Sequence, residues 1–132
     1  MRVVIDTNVL VSGLLSPFGG PAEIMRMIIS GKLEVCYDAR IIGEYEEVLN
    51  RSKFSIPNDC ILDLLEYIKH SGCITAGDPL PEELPDKDDE PFLEIAIASK
   101  ASYLITGNIR HYPLKLCQGV NVMNPSQFLK KH

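Results

Sequence analysis

The sequence predicts an α/β protein in which a five-stranded parallel sheet lies between two layers of helices. Short apolar runs alternate with segments that carry apolar residues on a helical repeat, and this alternation is the pattern of a parallel sheet with helical crossovers. The chain has 132 residues, of which 45% are hydrophobic, and it contains no low-complexity tract. We therefore expect one domain over residues 1–132 with a single core.

The apolar runs and the helical segments can be located along the chain. The predicted strands are residues 2–5, 33–37, 73–76, 103–106 and 120–123. The predicted helices are residues 21–30, 41–51, 58–72, 89–101 and 125–131. Residues 77–88 contain three prolines and many acidic residues, so we expect a long exposed loop there. The helix over 89–101 is apolar nearly all round, which predicts that it is covered on more than one side.

Charge and cysteine usage exclude several classes of protein. The net charge of -5 and the pI near 5.1 argue against a broad basic surface for duplex DNA. The N-terminus has neither a signal peptide nor a membrane span, so we expect a cytoplasmic protein without a membrane partner. The four cysteines lack the C-x-x-C spacing of a zinc site, which favours buried free thiols.

Asp6 stands where the first predicted strand stops, in the sequence "DTNVL". In open parallel sheets, ligands bind beyond the carboxyl ends of the strands, so a carboxylate at this place is a candidate ligand. An Asp between a strand and a helix also commonly serves as the helix N-cap. The residues alone leave both interpretations open.

Two further regions place carboxylates near the same edge of the sheet. Glu44 and Glu46 flank the apolar stripe of the helix that follows the second strand, and their spacing does not choose between them. In "DKDDEPFLEIA", capping explains one of Asp86, Asp88 and Asp89. Asp89 shares a face with apolar residues, which should direct it inward. Oxygen ligands converging from Asp6, Glu44 and Asp89 would suit Mg²⁺ or Mn²⁺.

The sequence resembles the PIN domain family, a metal-dependent nuclease fold found in many prokaryotic toxins of the VapC type. The resemblance covers nearly the whole chain and rests on the order and spacing of four pieces, "VVIDTNVLVSGL", "ARIIGEYEEVL", "DKDDEPFLEIAIASKASYLITGN" and "VMNPSQFL". It implies a strand order of 3-2-1-4-5. It also implies a Mg²⁺- or Mn²⁺-dependent ribonuclease that hydrolyses phosphodiesters of single-stranded or structured RNA.

The resemblance assigns roles to individual residues. It implies that the catalytic metal ligands are Asp6, Glu44 and Asp89, and it thereby selects Glu44 over Glu46. The fourth acid of the family is usually the last residue of a T-G-D turn, and Asn108 occupies that position here. The resemblance therefore leaves open whether the site holds one metal ion or two. Polar residues around the ligands, or at the fourth-acid position, are expected to be Thr7, Asn8, Asp86, Thr106 and Asn108. Two residues that could contact phosphate are Arg110 and His111.

The resemblance also bears on partners. It implies a homodimer, which we expect to be built on the helix over residues 58–72, and it allows for a small antitoxin protein as partner. One alternative is a catalytically silent RNA-binding or regulatory module that kept the fold without the fourth acid. Another is a phosphotransfer receiver domain, which needs an Asp at the end of the third strand and a Lys at the end of the fifth. The sequence offers only Asp78 and no lysine there.

Overall fold

The computed structural model describes residues 1–132 as a three-layer α/β domain of five strands and six helices. The strands are β1 (Arg2–Ile5), β2 (Glu34–Tyr37), β3 (Cys73–Ile74), β4 (Tyr103–Ile105) and β5 (Val122–Met123). The helices are α1 (Thr7–Leu15), α2 (Gly20–Ile29), α3 (Ala39–Leu49), α4 (Asn58–Ser71), α5 (Glu90–Ser99) and α6 (Pro125–Lys131). Short 3₁₀ helices lie at Ser52–Phe54, Lys87–Asp89, Ile109–His111 and Leu114–Leu116. Each strand therefore lies within its predicted range, and β3 and β5 are shorter than predicted.

The strands form one parallel sheet in the order β3-β2-β1-β4-β5, as predicted. In the register between the two central strands, Ile5 lies opposite Ile105, and the amide of Asp6 donates a 2.9 Å hydrogen bond to the Ile105 carbonyl. Because all strands point the same way, the residues that follow them meet at one edge of the sheet. Asp6 and Thr106 are therefore neighbours although they are distant in the sequence.

Both faces of the central strand are covered. Val3 and Val4 point to opposite faces because side chains alternate along a strand, and both have no exposed surface. On α5, Phe92, Leu93 and Ile95 are almost fully buried, which confirms that this helix is covered on more than one side. The helices on the two faces bury a single core and hold the strand ends in place.

Three details of the fold differ from the prediction, and the first is α1 (Thr7–Leu15), which was not among the five predicted helices. Within the predicted exposed loop over 77–88, Leu84 is only 4% exposed and belongs to the core. Burial of its apolar side chain is favourable because it removes apolar surface from water. All four cysteines are free thiols, and Cys36 and Cys117 are buried as expected, but Cys60 is exposed because it lies on the outer side of α4. None of the helices combines the length and the apolar character needed to cross a membrane.

Candidate functional site

Asp6 lies between β1 and α1 and is 5% exposed. Asp6 occupies the N-cap position of α1, but its side chain makes no capping hydrogen bond to this helix. Instead, its Oδ2 atom accepts hydrogen bonds from the Thr106 hydroxyl at 2.8 Å and the Tyr112 hydroxyl at 3.1 Å. Burial raises the pKa of the Asp6 carboxyl, and these two hydrogen bonds partly offset the increase. The structure thus holds a desolvated carboxylate at the edge of the sheet.

Glu44 extends from α3 towards the same edge. Tyr45, the next residue, is fully buried and its hydroxyl donates to the Ile5 carbonyl, which fixes α3 against the end of β1. The Glu44 carboxylate accepts a hydrogen bond from the Thr7 hydroxyl. Burial raises the pKa of Glu44, and the negative charge of Asp6 raises it further. Glu46 is exposed, so the rotation of α3 brings Glu44 rather than Glu46 towards Asp6.

Asp89 reaches the edge from the 3₁₀ turn that precedes α5. It is 8% exposed, which confirms the expectation that it points inward, and its Oδ2 atom lies 2.9 Å from Nδ1 of His111. The pKa of the Asp89 carboxyl is raised to about 6, first by burial and then by the charge of Asp6, while His111 acts in the opposite direction. Asp86 is the acid explained by capping, since it accepts from the Asp88 amide at 2.9 Å.

The three predicted acids therefore share one electrostatic environment, but they are not equally close. The charge of Asp6 raises the pKa of both Glu44 and Asp89. The group whose ligand atoms all lie within 4.8 Å of one another consists of Asp89 with Asp86 and His111, and it does not include Asp6 or Glu44. His111, which was predicted as a phosphate contact, is thus placed against an acid of the site.

The chemistry of this donor set fits a divalent cation. The side chains of Asp6, Glu44 and Asp89 supply carboxylate oxygens, which hard cations prefer. No lysine or arginine forms an ion pair with them, and the only basic partner is His111 on Asp89. The negative charges of carboxylates that are partly removed from water repel each other, and a cation bound between them would offset this repulsion. The residues that could hold such an ion are the three predicted acids, with Asp86 and His111 adjacent.

The turn after β4 connects the acids to the start of α1. Thr106 is fully buried, and its hydroxyl donates to Asp6 and accepts from the Asn108 amide at 3.0 Å. The Asn8 side chain accepts a 2.9 Å hydrogen bond from the Gly107 amide. A Cβ atom at Gly107 would lie 3.2 Å from Asn8 Oδ1, so this close approach favours glycine. Asn108, at the fourth-acid position, is exposed and carries no charge.

The segment after Asn108 contains contacts to the acids that were not predicted from the sequence. Tyr112 is 2% exposed and donates to Asp6, although no motif in the sequence marks it. Its only signal is its closeness along the chain to Thr106. Arg110 is exposed, and it is the one arginine of five that forms no ion pair.

Comparison with known proteins agrees with this geometry. A family model described as "PIN domain" matches residues 2–110, which include all three predicted acids. The chain belongs to the PIN domain family. An uncharacterized protein of Methanocaldococcus jannaschii is 30% identical to this PIN domain over 111 residues, which cover 82% of this chain and 71% of the relative. The family model ends at residue 110, so His111 and Tyr112 lie just beyond the matched range.

Family membership gives the chain a nuclease fold. Members of the PIN domain family generally use divalent metal ions, and the acids described above could bind such an ion.

Proposed function

We propose that this PIN domain is an endoribonuclease that hydrolyses phosphodiester bonds of single-stranded RNA with the help of Mg²⁺ or Mn²⁺. The observation that carries the proposal is the set of three partly or fully buried carboxylates, from β1, α3 and the turn before α5, without a lysine or arginine counter-charge. Asp6, Glu44 and Asp89 would hold the metal. When bound, the metal would activate a water molecule and neutralise the negative charge that develops on the phosphate and the leaving oxygen.

The surrounding residues position the acids. Thr106 and Tyr112 both donate to Oδ2 of Asp6, so they fix the orientation of this carboxylate. The Thr7 hydroxyl likewise orients the Glu44 carboxylate, and the His111 ring orients the Asp89 carboxylate. Arg110 is the exposed cation closest in sequence to these groups, and without an acidic partner it is available to a phosphate of the RNA strand.

The proposal predicts that RNA cleavage depends on added metal. Purified protein should cleave single-stranded RNA in the presence of Mn²⁺ or Mg²⁺ and lose this activity in EDTA, because the proposed mechanism needs the metal to activate the attacking water. The measurement is the time course of cleavage of a labelled RNA, with activity restored by excess Mn²⁺ as the control. Cleavage that persists in EDTA would contradict the metal-dependent mechanism.

The same experiment distinguishes the alternative function. Asn108 provides no charge at the fourth-acid position, which is the observation that favours a catalytically weak or silent module. Such a module would bind RNA and leave it intact in Mn²⁺.

For the enzyme we propose further that it acts in the cytoplasm as the toxin of a toxin-antitoxin pair. Growth arrest on expression, relieved by a small protein encoded by the adjacent gene, would support this role.

We predict that the protein forms a homodimer through the outer side of α4. Leu62 of α4 and Ile29 of α2 are 52% and 60% exposed, and an apolar cavity of about 360 Å³ lies between α1, α2 and α4. Exposed apolar surface of this kind commonly marks an interface. Light scattering at tens of micromolar should give the mass of a dimer, and Leu62→Asp should give a monomer because it places a charge in the interface. A monomeric wild-type protein would contradict the prediction.

A further inference from the structure

We propose that the groove beside the acids contains a subsite for one nucleoside of the RNA strand, formed by Asn8, Ser12, Asn124 and Ser126. The subsite rests on the proposed ribonuclease function and adds to it a place where a base close to the cut is recognised. It lies on a part of the surface that the metal-binding residues do not use.

The subsite is a cavity of about 480 Å³ between α1, the start of α2, the turn after β4 and the start of α6. This volume is within the range of pockets that bind small organic ligands, about 300–1,000 Å³. The residues that line it include Asn8, Ser12, Pro21, Gly107, Asn124 and Ser126. Three helices and a strand end meet here, so the walls of the cavity belong to the rigid part of the fold.

The cavity continues towards the acids. It shares Gly107, Asn108 and Asn124 with a second cavity of about 510 Å³, which also contains Arg110 and His111. His111 is in turn in contact with Asp89. A single strand whose scissile phosphate lies at the acids can therefore pass Arg110 and place a neighbouring nucleoside in the first cavity.

The chemistry of the lining selects a nucleoside over a phosphate group. None of the residues that line the first cavity is ionisable, although the protein as a whole is 23% charged. Phosphate recognition generally relies on arginine or lysine, whereas amides and hydroxyls match the mixed donors and acceptors of base edges and ribose. Single-stranded RNA presents its unstacked bases for this kind of recognition.

Two of the amides are held in a defined orientation. Oδ1 of Asn8 accepts from the Gly107 amide at 2.9 Å, and Oδ1 of Asn124 accepts from the Gln127 amide at 2.8 Å. Each of these side chains therefore retains its NH₂ group as a donor for a ligand. The hydroxyls of Ser12 and Ser126 are exposed and can donate or accept. Fixed donors together with adaptable hydroxyls favour recognition of base acceptors such as carbonyl oxygens.

The test fills the cavity from two different helices. Ser12→Trp in α1 and Ser126→Trp in α6 each place a large side chain at an exposed position of the lining. Ser102→Trp is the matched control, because Ser102 is exposed and lies just before β4, at the opposite edge of the sheet. A randomised single-stranded RNA pool is cleaved in Mn²⁺ and the cut sites are sequenced. We expect the wild type and Ser102→Trp to prefer a base at one fixed distance from the cut. Both cavity variants should lose that preference and show a raised KM.

A binding measurement separates this inference from the cleavage activity. A labelled RNA hexanucleotide of mixed sequence is titrated in EDTA, where the proposed metal-dependent cleavage does not occur, and binding is followed by fluorescence anisotropy. Both cavity variants should bind about fivefold or more weakly than Ser102→Trp, since contacts to one base contribute at least that much. Weaker binding without any cleavage would support the subsite and contradict the proposed function.

Two results would overturn the subsite while leaving the ribonuclease proposal intact. One is cleavage by the wild type without a base preference at any position. The other is a preference and an affinity that both tryptophan variants retain. Melting temperatures identify a variant that fails to fold, and since Ser12 and Ser126 lie on separate helices, the remaining variant then decides.

Discussion

Asp89→Asn should abolish RNA cleavage and at the same time raise the melting temperature of the metal-free protein near neutral pH. A lost metal ligand removes several kcal/mol of charge stabilisation, so we expect activity to fall about a hundredfold or more. The stability effect has the opposite sign because the folded protein raises the pKa of this carboxyl from 3.8 to about 6. The charged form is therefore less favourable in the folded state than in the unfolded state.

The pH range of the effect follows from these two values. The protonated carboxyl is favoured by folding, so its contribution to stability is complete below about pH 4 and is lost as the pH rises through about 6. Asparagine resembles the protonated form at every pH, and its amide can still pair with His111. A rise of the pKa from 3.8 to about 6 corresponds to at most about 3 kcal/mol, and solvent screening leaves at least about 1 kcal/mol of it. In EDTA the variant should therefore melt about 4 °C or more above wild type near pH 7, and the two should melt alike near pH 4.

Asp88→Asn is the matched control for this experiment, since Asp88 is the adjacent acid and is exposed. It should keep cleavage within a few-fold of wild type and change the melting temperature far less than Asp89→Asn does, since Asp88 contributes to the site only through its charge, which adds to the raised pKa of Glu44. Added Mn²⁺ should raise the melting temperature of the wild type and of Asp88→Asn more than that of Asp89→Asn, because stabilisation by a ligand grows with its affinity. Wild-type cleavage by Asp89→Asn would show that Asp89 does not hold the metal.

Glu44→Gln should reduce cleavage by orders of magnitude, whereas Glu46→Gln should remain within a few-fold of wild type. Glu44 is directed towards Asp6 and accepts from the Thr7 hydroxyl, and Glu46 is exposed on the same helix. Glutamine keeps an oxygen for the Thr7 hydrogen bond, so the loss should come from the missing charge and not from unfolding.

The measurements are kcat/KM for a labelled RNA and the melting temperature in EDTA. Glu44→Gln should melt at or above the wild-type temperature, because burial and the charge of Asp6 raise the pKa of the carboxyl that it replaces. Equal losses of activity in the two variants would contradict the placement of Glu44, and a lowered melting temperature would attribute its loss to folding.

The sequence predicted the fold better than it predicted the contacts within the site. Apolar runs and helical repeats reveal strands and helices because periodicity is a local property, and burial of Asp89 follows from the face that it shares with Phe92. Glu44 and Glu46 flank the same stripe, so their different exposures depend on how α3 packs on β1 through Tyr45. That packing is not encoded in the spacing.

The contacts of His111 and Tyr112 could not be predicted for a different reason. Both residues lie in or beside a three-residue 3₁₀ turn, which is too short to show a period. Their partners, Asp89 and Asp6, are 22 and 106 residues away in the sequence. Such contacts depend on the assembled sheet, since only the pairing of β1 with β4 brings the segment after β4 to Asp6.

The two hydrogen bonds on Asp6 also determine when the site can form during synthesis of the protein. Asp6 is made before both of its partners, since Thr106 and Tyr112 follow it 100 and 106 positions later. At about 5–20 residues per second, a ribosome needs several seconds to cover that interval. A nascent chain that ends before Tyr112 cannot contain the arrangement described for Asp6. The growing polypeptide therefore carries an incomplete centre past the ribosome's own RNA until Tyr112 has been added.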